Sequence, residues 1–148
     1  MKRIGLRFPR WSRIIFSAIF LTSLITGILW FCLDRWGETD GEFGPEKHPW
    51  IAFLPKIHGA SAFAALISMG MIFSAHIPVG WSAGWSRKSG ILMLSDIAIM
   101  VLTAWGLYYS GSVELRSMLV WVHLIAGSVF PVTLFIHLRS RKVRQEPG

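Results

Sequence analysis

Four apolar runs of about 20 residues decide what this chain can fold into. They cover residues 14–33, 57–79, 91–109 and 117–138, and the one charged residue among them is Asp96. At about 1.5 Å of rise per helical residue, such runs match the roughly 30 Å hydrocarbon core of a bilayer. With lipid as the solvent, backbone polar groups must pair within each segment, which selects helices. The expected fold is all-α, an integral membrane four-helix bundle. Residues 1–148 then form a single transmembrane domain, with 34–56 as an extracytoplasmic loop and 139–148 as a basic cytoplasmic tail.

Charge supports this and excludes another class. The chain is 16% charged, below the roughly 25% of a soluble domain. A net charge of +7 invites a nucleic-acid reading, but the basic residues sit in short flanks beside apolar runs, the pattern of membrane topology. The single cysteine, Cys32, excludes an internal disulfide, a Cys-x-x-Cys centre and Cys-x-x-Cys-His haem attachment, and is read as packing.

The basic leader ends at Arg13, and Pro9 stops any long helix through it. The first run exceeds a signal-peptide core and lacks a small-x-small cleavage pattern, so it is expected to be retained. Glycines and prolines in 34–56 discourage regular structure, with room for a short surface helix. Pro78 and Gly80 are expected to close the second span. Lys and Arg number eleven in the N-terminal, middle and C-terminal flanks against four in the other two. That count places both termini in the cytoplasm, and the host membrane is expected to be a bacterial inner membrane.

Spans two and four each carry a histidine near both ends: His58 and His76, then His123 and His137. Both spans run in the same direction, so His58 and His123 share the outer depth and His76 and His137 the inner. The 18-residue step from His58 to His76 is five full turns, and the 14-residue step from His123 to His137 falls about 40° short of four. Each pair therefore lies on one helix face. Between them run Ser61, Ala62, Ala65, Met69 and Phe73 on span two, and Ala126, Gly127, Phe130 and Leu134 on span four. Small residues beside the outer histidines leave room for a flat ligand, although such residues also simply bring membrane helices together.

Two histidines per level, with no nearby cysteine or acid pair, do not make a zinc site. They do suit iron porphyrin, where two imidazoles complete a low-spin centre with no open position, suited to electron transfer. Lys56 and Arg116 at the outer ends, and Arg87, Lys88 and Arg139 at the inner ends, are candidates for haem propionates; their other reading is topology and snorkelling. Asp96 is a candidate proton relay to a quinone or a structural polar contact. His48 is read as a surface residue.

The four histidines, with the run HLIAGSVFPVTLFIH in span four and LTAWGLYYSG in span three, resemble a small four-helix dihaem member of the cytochrome b superfamily over roughly residues 50–140. The resemblance implies two haem b groups, each with two histidine ligands, carrying electrons across the membrane. It implies exchange with a quinone pool and an extracytoplasmic redox protein, as a carrier or as a subunit of a quinone-linked oxidoreductase. The family usually spaces its paired histidines about 14 apart; span two uses 18. Separations of roughly 27 and 21 Å then differ by about 6 Å. Helix tilt and a bend at Pro131 would absorb that; otherwise His76 is not a ligand. The alternative is a non-haem membrane anchor or assembly subunit whose histidines only pack.

Overall fold

The computed structural model describes residues 9–143 apart from 83 and 85, and the side chains up to 140. The leader through residue 8, Trp85 of the middle link, and the tail from residue 144 lie outside the described residues. The chain is all-α in its long elements: α1 (Arg10–Trp36), α2 (Leu54–Ser82), α3 (Arg87–Tyr109) and α4 (Val113–Val143). All four are long and apolar enough to cross a membrane. Two compact units divide the chain, Met1–Ile77 and Pro78–Gly148.

Burial is inverted relative to a water-soluble protein. Among the described residues, those withdrawn from the surface include Ser12, Thr26, Ser61, Ser68, Asp96, Thr103 and Thr133, whereas Phe63 is 67% exposed and Leu102 66%. In water that distribution would mark an aggregate-prone surface; in lipid it puts apolar side chains against solvent and hydroxyls inside. The buried hydroxyls keep their own backbone as partner. Thr26 Oγ1 donates to Thr22 O and Thr103 Oγ1 to Ile99 O, each at 2.7 Å, and Ser68 Oγ donates to Ala64 O at 2.8 Å. Such bonds satisfy hydroxyls that lipid cannot.

In the first unit, α1 starts immediately after Pro9, whose carbonyl accepts from Ser12 Oγ at 2.8 Å. It ends where Gly37 N–H donates to Leu33 O at 2.8 Å; a Cβ on Gly37 would lie 2.7 Å from that oxygen. The loop expected to be irregular instead forms a β-hairpin, β1 (Glu38–Gly41) with β2 (Gly44–Lys47). Glycine and proline shape it rather than preventing it. Gly44 supplies φ +123° after the two-residue loop, and Pro45 pairs opposite Asp40 in a ribbon whose other edge needs no donor. An exposed ion pair, Lys47 to Asp34 at 3.5 Å, ties the hairpin to α1; it contributes at most about 1 kcal/mol. The short surface helix is present as a 3-10 turn over Pro49–Ala52.

All four helices overrun the apolar windows, because a helix continues through its interfacial residues while hydropathy falls. α1 runs 10–36 rather than 14–33, and α4 takes in the start of the expected tail. The largest correction concerns Pro78. It does not close the second span but lies inside α2, which continues to Ser82; Pro131 is likewise inside α4. Proline removes one ladder donor, a loss that membrane helices tolerate through neighbouring groups and local adjustment.

In the second unit, α3 and α4 form an antiparallel pair joined by the turn Ser110-Gly111-Ser112. Ser112 Oγ accepts from Leu115 N–H at 3.2 Å, capping α4, and Arg116 Nη1 donates to Leu107 O at 2.6 Å, covering an end carbonyl of α3. A Cβ on Gly106 would meet Leu119 Cδ1 at 2.9 Å, so glycine sets how closely the pair approaches here.

Candidate functional site

The helix faces that carry the histidines are the buried faces. On α2, Ser61, Ala65 and Met69 are buried and Ala62 and Phe73 half-buried. On α4, Ala126, Phe130, Thr133 and His137 are buried, at steps of four, three and four residues, with His123 half-buried one turn before them. Of the expected row on α4, Ala126 and Phe130 are therefore buried, while Gly127 and Leu134 are half-buried and Thr133 takes the inward place.

His58 sits against α1, an element to which the sequence assigned no part in the site. Its Nδ1 lies 2.9 Å from Ser23 O and 3.5 Å from Thr26 Oγ1. Beneath the ring is Gly27, where a Cβ would stand 2.9 Å from His58 Cε1. A carbonyl only accepts, so Nδ1 carries the proton and donates. In the neutral imidazole this leaves the lone pair on Nε2.

His123 reaches the same state by a different route. Its Nδ1 is 2.9 Å from Thr103 Oγ1, whose only proton is already directed to Ile99 O. Thr103 therefore accepts and His123 Nδ1 donates. At the other end of α4, His137 Nδ1 is 3.1 Å from Ser89 Oγ. The Ser89 proton has oxygen acceptors in Ser140 Oγ at 2.8 Å and Ser86 O at 3.1 Å, and Ser140 itself donates to His137 O at 2.9 Å. With the Ser89 proton directed to either oxygen, Ser89 Oγ is free to accept from His137 Nδ1. Between these two rungs is a third: Thr133 Oγ1 lies 3.0 Å from Asp96 Oδ2 and 2.9 Å from Phe130 O, its one proton shared between the two acceptors, and both side chains are buried. Ser89, Asp96 and Thr103 recur every seven residues on α3 and meet His137, Thr133 and His123 in antiparallel order.

The remaining expected residues are placed as follows. His76 is half-buried on α2, two residues before Pro78. His58 and His76 fall in the first unit, His123 and His137 in the second. Lys56 and Lys88 are exposed. Arg87 Nη2 donates to Trp81 O at 2.7 Å with its guanidinium 5.1 Å from the Trp81 ring centroid, and Arg139 lies 5.3 Å over Phe135. Arg87, Lys88, Ser89 and Ser140 together line a hollow beside the His137 rung. His48 lies in the outer loop, where its Nδ1 accepts from Trp50 N–H at 3.2 Å, the opposite role from that of His58 and His123.

Within either unit, no three His, Cys, Asp or Glu side chains converge among the described residues, so neither holds a tetrahedral zinc donor set. Single imidazoles with oriented Nδ1–H and a lone pair on Nε2, on buried faces lined by small residues, fit axial ligation of a haem iron. Ser23, Thr26, Gly27, Ser89, Thr103 and Thr133 were not anticipated. The seven-residue recurrence on α3 was a usable signal for Ser89 and Thr103; nothing marks Ser23, which contributes only its carbonyl. Comparison with protein-family models, curated proteins and solved structures found no match to this chain.

Proposed function

We propose that the protein is a membrane b-type cytochrome that passes electrons between a quinone pool and an extracytoplasmic redox protein. The observation that carries this is the shared hydrogen-bond state of His58, His123 and His137. Each imidazole has its Nδ1 anchored on a neighbouring helix, the arrangement that fixes the orientation of a metal-ligating ring and leaves Nε2 to the metal. Haem, when bound, supplies one-electron transfer. His58 and His123 are assigned as the outer axial pair, His76 and His137 as the inner, two haem b groups in all.

The chain's own residues do the rest. Ala65 and Met69 on α2, and Ala126 and Phe130 on α4, are the buried apolar positions between the histidines of their own helices. Lys56 and Arg116 at one end, and Arg87, Lys88 and Arg139 at the other, are assigned to propionates, the last group through the basic hollow beside Ser89. Asp96, held by Thr133, is assigned to proton exchange accompanying quinone turnover. The excess of Lys and Arg in the terminal and middle flanks supports cytoplasmic termini in a bacterial inner membrane.

Purified protein from haem-replete cells should give a reduced-minus-oxidised spectrum with b-type bands and about two haems per chain by pyridine haemochrome. His123→Ala should remove the outer haem. A colourless preparation would reject the proposal. One haem per chain, retained in His76→Ala and lost in His123→Ala, would reject the inner pairing alone. Asp96→Asn should slow quinone turnover while leaving haem content intact.

A further inference from the structure

Trp30 carries a polar group with no assigned work. Its indole Nε1 is shut off from the surroundings and, among the described residues, meets no hydrogen-bond acceptor. Buried tryptophan N–H groups usually find a partner, and leaving one unsatisfied costs about 1–3 kcal/mol. Interfacial anchoring does not account for it. Trp11 and Trp36, the other tryptophans of α1, are 65% and 73% exposed, as such anchors are, whereas the Trp30 N–H is enclosed.

Its position on α1 is informative. Ser23, Thr26, Gly27 and Trp30 follow one another at steps of three, one and three residues, which puts them on one helix face. The first three are the groups against His58. Long side chains on a helix lean toward its N-terminus, which directs the Trp30 ring toward the turn of Thr26 and Gly27. A donor seeking an acceptor therefore stands on the face that cradles the His58 imidazole.

We infer that Trp30 Nε1–H donates a hydrogen bond to a propionate carboxylate of the haem held by His58. This rests on the haem reading above. A propionate is favoured over a quinone carbonyl for two reasons: it is tethered to the group that His58 would ligate, and an ionised acceptor makes the stronger bond. Trp30 then serves the enclosed side of the haem edge and Lys56 the exposed rim.

The test uses the full-length protein in detergent, carrying haem with 13C-labelled propionate carboxyls. Trp30→Phe is compared with the parent and with Trp36→Phe. Benzothienylalanine at position 30 retains the bicyclic shape and lacks only the N–H. Three quantities are read: the rate of haem loss to a scavenging apoglobin, the labelled carboxylate bands in reduced-minus-oxidised infrared difference spectra, and the affinity for an added quinone. Trp30→Phe and the benzothienyl variant should lose haem about tenfold faster and shift a carboxylate band, with Trp36→Phe unchanged. Parent-like haem loss and bands in both Trp30 variants overturn the inference and leave the cytochrome reading standing. Faster loss with unshifted bands overturns it in favour of packing. Lower quinone affinity with unchanged haem behaviour overturns it in favour of a quinone donor. A haem-free parent rejects the cytochrome reading itself and the inference with it.

Discussion

His58 and His123 arrive at one protonation pattern by unlike means. In the first unit the acceptor is a backbone carbonyl, Ser23 O, and the decisive neighbour is a missing side chain at Gly27. In the second it is a hydroxyl, Thr103 Oγ1, whose own proton is committed to Ile99 O. Shape therefore governs the first site and side-chain chemistry the second. A carbonyl acceptor survives almost any substitution at its own position but depends on the helix standing where it does. A hydroxyl acceptor disappears with its side chain.

The contrast is broken most severely at Gly27. Gly27→Val should displace the His58 ring, and purified protein should retain at least tenfold less haem at that site, since overpacking costs about 1–3 kcal/mol and the ring has lost its anchor as well. Gly90→Ala, whose Cβ would lie at an ordinary 3.7 Å from His137 Cε1, should keep its haem. Next comes Thr103→Val. Removing the acceptor behind a metal-ligating histidine weakens affinity about 10- to 100-fold, and Thr103→Ser should restore it, both read by haem titration of the apoprotein. Ser89→Ala should weaken retention of the haem proposed at His137 by roughly fivefold, the scale of one neutral hydrogen bond. Ser23→Ala is the sharpest discriminator because it should do almost nothing: the carbonyl remains, and thermal stability should change by no more than about 0.5 kcal/mol. A large loss in Ser23→Ala would assign the hydroxyl, not the carbonyl, to His58.

The long helices were legible because lipid makes uncharged length a direct read-out of a span. Their ends were not, since capping by Arg116 or Ser112 follows local geometry rather than hydropathy. Pro78 misled because the rule that proline ends a helix describes helices in water. The hairpin over residues 38–47 was hidden by its own turn residues, which read equally as breakers or builders until pairing is known. The histidine faces were legible from the 18- and 14-residue steps. Their partners were less so: threonine in an apolar helix bonds its own backbone as readily as a neighbour, and here Thr103 does both.

The three rungs between α3 and α4 have a consequence for assembly. Apolar side chains meet lipid and protein on nearly equal terms, so they tell one helix little about how far along its neighbour it should stop. Ser89, Asp96 and Thr103 find His137, Thr133 and His123 together at a single offset; a one-residue slip turns each of them away by about 100°. The polar seam is thus a ruler, fixing the depth at which both histidines of α4 are presented.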